Sequence, residues 1–226
     1  MMPSIHPPAG KLFPREEIIA RFHDGQTIAV GGQACVGSPD RLIECVIDSG
    51  AKNLRLISLD SGHENRGVGR LIHEGRVSSM IVSHIGMNHE SVEKAEPGEL
   101  RIEEFCPLGS LIERLRCGGA GLGGVLSPTG VGTEVEKHKQ KVIVNGVPYL
   151  LEPALRADIS LVRARRADPV GNLSYHGTAM TSNPVIASCG DLCLVDADFL
   201  VKTNEMSIDA FRTPSVFVDM ILEADQ

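Results

Sequence analysis

The sequence predicts an α/β protein, a single open sheet, parallel or mixed, covered by helices in one domain over residues 1–226. Three observations predict it. Segments with helical and strand periods alternate along the chain, the pattern of repeated βα units. The strand candidates are short, apolar and bounded by turn residues, as buried strands are. Punctuation is dense, with 24 glycines and 13 prolines in 226 residues, a glycine share above the usual roughly 7 %.

Taken in order, Pro14 opens an amphipathic helix in which Ile18, Ile19 and Phe22 share a face, and His23-Asp24-Gly25 stops it. Residues 27–30 form a buried strand that runs into Gly31-Gly32-Gln33-Ala34-Cys35-Val36-Gly37. Ser38-Pro39 then reads as an N-cap with proline at the first helical position, and the helix presents Leu42, Ile43, Val46 and Ile47 before ending near Gly50. Residues 53–59 and 77–83 are the next strands, with a short helix at 69–73 between them. Residues 100–106 alternate like a strand, and Ser110-Leu-Ile-Glu113 reads as a capping box opening a helix to about Cys117. Asn145-Gly146 joins strands 141–144 and 147–151 as a two-residue hairpin, and Pro148 assigns the second of these to an edge. Residues 158–164, 193–195 and 216–221 complete the buried strands. Residues 1–12 read as a loose N-terminal segment, and no internal repeat is visible.

Composition narrows the function classes. With 42 % hydrophobic and 23 % charged residues the chain is neither disordered, collagenous nor a coiled coil. A formal charge of -7 argues against nucleic-acid binding, which needs a broad basic surface. No signal-peptide pattern or membrane span is present; the longest uncharged run, 117–133, is interrupted by seven glycines and a proline. The expected location is cytoplasmic, with the six cysteines as reduced thiols. Cys189 and Cys193 fit neither a redox pair nor a zinc knuckle, and no metal site is expected.

Two glycine-rich stretches invite a ligand reading. At 31–37 a strand, a glycine turn and a helix follow one another. Missing Cβ atoms would let a ligand reach the backbone, and the helix start would offer unpaired N–H groups to an anion. A tight turn serving packing alone explains the same residues. At 119–124 the string Gly-Ala-Gly-Leu-Gly-Gly contains G-x-G-x-x-G, but it follows a helix and runs into Ser127-Pro128, so the dinucleotide reading fails on context. No G-x-S-x-G elbow or H-E-x-x-H motif occurs, and Glu96-Pro97-Gly98 reads as a surface turn. His84 and His89 lack an acidic third ligand, and 134–141 is a solvated charge run. Arg163, Arg165 and Arg166 suit either an anion or ion pairs.

Asp24-Gly25-x-x-Ile28-Ala29-Val30-Gly31-Gly32-x-x-x-x-Gly37-x-Pro39 resembles the first motif of family I coenzyme A transferases, in the α subunit of the 3-oxoacid (acetoacetate) type. Two further stretches agree: Arg116-Cys-Gly-Gly-Ala-Gly-Leu-Gly-Gly through Thr133, and Ala167-Asp168-x-x-Gly171-Asn172-Leu173-x-Tyr175. The resemblance runs from about residue 12 to 222. It implies a CoA-transferase-type fold, with Gly31, Gly32, Gln33, Ala34, Cys35, Val36 and Gly37 contacting CoA, a co-substrate rather than a tightly bound cofactor. It implies transfer of CoA between a short-chain acyl-CoA and acetoacetate or another short acid, through a glutamyl-CoA thioester. The glutamate of that chemistry belongs to an S-E-x-G motif in the β half, absent here, so no catalytic residue is expected in this chain. A β-subunit partner, doubled to an α2β2 heterotetramer, is implied in its place.

The resemblance also places a pocket for the acyl group near Asp60, Leu108, Gly119, Ala120, Gly121 and Asn183, with the second glycine stretch as a bent loop beside the cleft. Several of these depart from the family pattern. Gln33 stands where Phe is usual, Leu108 where Gln is usual, Ser58-Leu59-Asp60 for Ser-Asn-Asp or Ser-Asn-Asn, and Thr181-Ser-Asn183-Pro184 for Asn-Phe-Asn-Pro. Leu in place of an amide removes a donor and an acceptor that could orient a carboxylate, so altered acyl specificity is expected. The alternatives are a thioester or CoA-linked ring hydrolase of the same fold, or a catalytically silent CoA-binding or assembly subunit.

Overall fold

The computed structural model describes residues 10–203 and 205–223. In chain order the first half contains β1 (Leu12–Phe13), α1 (Arg15–Ile19), β2 (Thr27–Val30), α2 (Asp40–Ser49), β3 (Leu54–Asp60), α3 (Gly69–His73), β4 (Val77–His84), α4 (His89–Ala95) and β5 (Arg101–Phe105). There follow α5 (Leu108–Gly119), β6 (Gly124–Ser127), β7 (Lys141–Val144), β8 (Val147–Pro153), β9 (Ala157–Ala167), β10 (Leu173–Ser174), α6 (Asn183–Cys189), β11 (Gly190–Leu200) and β12 (Met220–Leu222).

The main sheet runs β1-β12-β11-β9-β2-β3-β4-β5 with every neighbouring pair parallel, and β10 folds back antiparallel on β9. Alternation along each strand feeds two cores, one on each face. Ile57 and Leu59 enter one; Leu54 and Leu56 enter the other. That two-sided burial is why the strands read as unbroken apolar runs. From β2 the chain moves outward through β3, β4 and β5, then returns to β9 and continues the other way. The reversal falls between β2 and β9, and such switch points leave a crevice at the carboxyl ends of the strands.

The expected parallel sheet is present, and a second, antiparallel sheet, β6-β8-β7, accompanies it. Asn145 and Gly146 both take positive φ, 52° and 79°, as the hairpin reading required. Pro148 does not sit on an edge strand, because β8 is the middle of the three. It is tolerated since β6 pairs only with 150–153, leaving the other side of β8 open at Pro148. Gly124 and the residues up to Ser127 form a strand inside what read as a glycine loop.

Other expectations need correction at helix starts. Neither Ser38 nor Ser110 caps a helix: α2 begins at Asp40 after Pro39, and α5 begins at Leu108 after Pro107. Pro107 sets the chain direction three residues before the capping-box pattern, so Ser110 lies inside the first turn and Glu113 pairs with Arg116 instead. Residues 216–221 are a strand only from Met220, since Ser215–Phe217 is a 3₁₀ turn after Pro214. Of the segment expected to be loose, residues 1–9 lie outside the described residues, while Leu12 pairs with Ile221 and the Lys11 ammonium donates to the carbonyls of Ser215 and Val218, each at 2.6 Å.

The small sheet is pinned by charge. Glu104, Cys106 and Glu152 converge within 4.8 Å, but the two carboxylates are bridged by Arg114 and Lys139, at 2.7 Å from Glu104 and Glu152 respectively. Burial works against the Glu104 carboxylate, yet hydrogen bonds from Arg114 and Lys139 outweigh it and hold its pKa below the ordinary value. The group therefore stays charged and ties β8 to β5 and α5.

Candidate active site at the carboxyl edge of the sheet

The 31–37 segment stands at the switch point, directly on the end of β2. Gly31 continues the ladder by donating to the Leu161 carbonyl at 2.9 Å. Gln33 and Val36 then exchange two backbone hydrogen bonds, 3.0 and 2.9 Å, around a two-residue turn at Ala34 and Cys35. Both turn residues take positive φ, 48° and 63°, although neither is glycine. Such a conformation is unfavourable for an L side chain and persists only where the surroundings enforce it.

Three side chains enforce it. Asp60, buried at the end of β3, accepts the Ala34 N–H at 2.7 Å with one oxygen and the Gly62 N–H at 2.9 Å with the other. Ser182 accepts the Gly32 N–H at 2.9 Å. Asn183, fully buried, accepts the Arg163 N–H at 2.9 Å and donates to the carbonyls of Gly37 and Ala179. A Cβ on Gly31 would come within 2.0 Å of the Asn183 Oδ1, which is why that position is glycine. Asp60 and Asn183 are therefore engaged with backbone groups. They brace the turn.

The helix start after the turn is not an open anion site. Asp196, buried on β11, accepts the Arg41 N–H in the first turn of α2 at 3.2 Å and its Nε at 2.8 Å. The chain's own carboxylate thus takes the positive end of the helix. Free donors remain in the turn: the N–H groups of Cys35 and Gly37, like those of Ser38 and Leu42 after it, make no hydrogen bond among the described residues, and Val36 between the first two is half exposed. Two free amides on either side of one residue can polarise a carbonyl or hold a carboxylate. The Cys35 thiol is raised by burial, which leaves it protonated at neutral pH and unsuited as a nucleophile.

A second turn of the same design stands beside the first. After β3, His63 and Arg66 form an antiparallel bridge flanked by Gly62 and Gly67, both at positive φ, before α3. In sequence, both turns share only the spacing Gly-x-x-x-x-Gly, 32–37 and 62–67, with four unlike residues between. A Cβ on Gly67 would approach the Cys35 Sγ to 3.0 Å. The cavity between the turns has room for about one water and is lined by Ser38, Ser58 and Asp60; the Ser38 hydroxyl has no hydrogen-bond partner among the described residues.

The remaining expected positions divide by sheet edge. Leu108 opens α5 at the carboxyl edge, half-buried against the core. Gly119, Ala120 and Gly121 lie at the far end of α5, which runs back antiparallel to the strands. A Cβ on Gly119 would meet Ser188, at the end of α6 opposite to the Ser182 that holds Gly32, and Gly118 lies against Leu155 before β9. Gly118 and Gly119 are helix packing contacts at the amino edge, and Ala120 and Gly121 are exposed beyond the helix end there, so the second glycine stretch is no wall of the crevice at 31–37. In the third motif the buried Asp168 accepts the N–H groups of Val170 and Asn172, fixing the turn between β9 and β10.

The Coenzyme A transferase family model matches residues 15–224. The chain belongs to the coenzyme A transferase family. It is 45 % identical over 216 residues to the acetate CoA-transferase subunit alpha of Escherichia coli K12, covering 96 % of this chain and 98 % of that one. It is 39 % identical to the acetoacetyl-CoA:acetate/butyrate CoA transferase alpha subunit of Clostridium acetobutylicum, covering 94 % and 97 %. Among solved structures the fold matches an acyl-CoA transferase from E. coli O157:H7 in a thioester complex with CoA, with a TM-score of 0.82 at 23 % identity. The match covers 96 % of this chain and 48 % of that one, so this chain spans about half of the solved enzyme. Glutaconate coenzyme A-transferase from Acidaminococcus fermentans matches with a TM-score of 0.81 at 18 % identity, over 95 % of this chain and 75 % of that one. As in other CoA-transferases, the fold is an α/β sheet covered by helices. No helix among the described residues is long and apolar enough to cross a membrane.

Proposed function

We propose that this chain is the α subunit of a heteromeric CoA-transferase that exchanges CoA between a short-chain acyl-CoA and acetoacetate or a related short acid. The observation that carries the reading is the braced turn at 31–37: a strained backbone at the switch point, held by Asp60, Ser182 and Asn183, that leaves the Cys35 and Gly37 N–H groups free. Those amides stabilise the oxyanion formed when a carboxylate attacks the thioester carbonyl. The attacking carboxylate comes from a β subunit, since the buried Asp60 here is fully engaged with backbone and no S-E-x-G motif occurs in the chain. The α and β chains form an α2β2 assembly with the reacting thioester between them, and CoA acts as co-substrate. The relatives named as alpha subunits support this division of labour.

Co-expression with the β chain tests it. The pair transfers CoA from an acyl-CoA to acetoacetate, acetate or butyrate, and it elutes at the mass of two α and two β chains. Thioester consumption without any acceptor acid would instead identify a hydrolase.

A further inference from the structure

Two adjoining hollows run along the carboxyl end of β9, with cavity volumes of about 130 and 350 Å³. The first begins at Val36 and Gly37, on the free side of the braced turn, and the second lies beyond it; Arg165 and His176 line both. The two hollows therefore adjoin at Arg165 and His176, and together make a groove from the turn outward. Its far stretch carries Arg165, Arg166 and Arg212, and no acidic residue lines it.

The arginines of this region are not equivalent. Arg163 is paired with Asp196 and Asp198, and Arg165 pairs with Asp198 at 3.2 Å while its guanidinium stacks on Phe199 at 4.6 Å. These two are spent on structure. Arg166, on the same strand, has no carboxylate partner among the described residues. Among the described residues Arg212 donates only to the backbone carbonyls of Asp209 and Phe211. Its place is fixed by the bridge between Leu173 and Thr213 and by the 2.6 Å hydrogen bond between the Tyr175 and Thr213 hydroxyls. In a chain of net charge -7, a groove end with two exposed guanidiniums that have no carboxylate partner among the described residues suits an anion.

We propose that Arg166 and Arg212 bind the phosphates of CoA, while its pantetheine arm follows the groove past His176 to the turn at Gly37. This rests on the functional reading above and adds to it where the nucleotide end lies. The start of α2, the other candidate for the phosphates, is filled by Asp196, which leaves the arginine end as the place where the charge is matched. A ligand with its reacting thiol at one end and its phosphates at the other suits a groove with free amides at one end and free guanidiniums at the other.

The test uses the αβ complex and two donors with the same acyl group, the CoA thioester and the pantetheine thioester that lacks the phosphates. For the wild type and for Arg166→Ala and Arg212→Ala, the quantity read is the ratio of kcat/KM for the two donors. Each substitution lowers the ratio by about tenfold or more through KM for the CoA thioester, the scale of one lost hydrogen bond to a charged group. Arg166→Lys restores part of it, and Arg101→Ala, an exposed arginine at the opposite edge, leaves the ratio as in the wild type. An unchanged ratio in both alanine variants overturns the proposal, as does an equal loss on both donors, which is what a structural role would produce. A wild-type complex that transfers no CoA would refute the functional reading itself, a result distinct from either of these.

Discussion

The stretches 31–37 and 118–124 look alike as strings of small residues, and the fold uses them for opposite purposes. The first stands on the end of β2 at the switch point, carries two non-glycine residues at positive φ, and is held by side chains from β3 and from α6, some 150 positions away. It leaves backbone donors free. In the second, Gly118 and Gly119 exist because Leu155 and Ser188 press against them, and Gly124 begins a strand of the small sheet. Ala120, Gly121 and Leu122 donate their N–H groups back to α5, and the open space around Gly121 and Gly123 lies away from the switch point. The difference teaches that glycine density marks close approach of backbone, and that only the strand end on which it falls says whether the approaching object is a ligand or another part of the chain.

Substitutions can break or sharpen that contrast. The largest effect is expected at Gly118→Ala, where the new Cβ would sit 1.9 Å from the Leu155 carbonyl oxygen. Overpacking against backbone destabilises by about 3 kcal/mol, a fall in Tm of roughly 6 to 12 °C by calorimetry, while the folded fraction keeps its affinity for CoA. Reduced affinity in the folded protein would break the contrast. Asn183→Leu is next: it strands the Arg163 N–H and the Gly37 and Ala179 carbonyls, with a loss of about 2 kcal/mol. Here the braced turn relaxes too, so KM for acyl-CoA rises even well below Tm, in steady-state kinetics of the αβ pair. Leu108→Gln shifts the order of preference among acetate, butyrate and acetoacetate by about tenfold with little change in Tm, and an unchanged order removes Leu108 from acyl selection. Gly123→Ala, in open space with ordinary φ, changes stability by less than about 0.5 kcal/mol and activity not at all.

How much of this was legible before folding follows from what is local. The strands at 27–30, 54–60 and 157–167 were legible because burial on both faces leaves a continuous apolar run. The hairpin at Asn145-Gly146 was legible because its φ angles demand those residues. The caps at Ser38 and Ser110 misled because Pro39 and Pro107 already set the two helix starts. α6 was missed, being a seven-residue uncharged helix with no periodicity to read. The roles of Asp60 and Asn183 were placed near the cleft but not as braces, since their partners lie 26 and up to 146 positions away and no spacing encodes them. An Asn-Pro pair ahead of an apolar run was the one local hint that Asn183 starts a helix. The edge on which Gly119, Ala120 and Gly121 fall was hidden for the same reason: only the direction of α5 across the sheet decides it.

The most direct test of the claim that this chain holds the thioester but not the nucleophile is trapping of the covalent intermediate. The α chain, the β chain and their mixture are each incubated with acyl-CoA without acceptor acid and treated with borohydride, and the reduced glutamate is located by mass spectrometry. The account predicts a modified glutamate in the β chain of the mixture and none in the isolated α chain, with Gly31→Ala in the α chain abolishing the label. A modified carboxylate in the α chain, or CoA transfer by that chain alone, would contradict it.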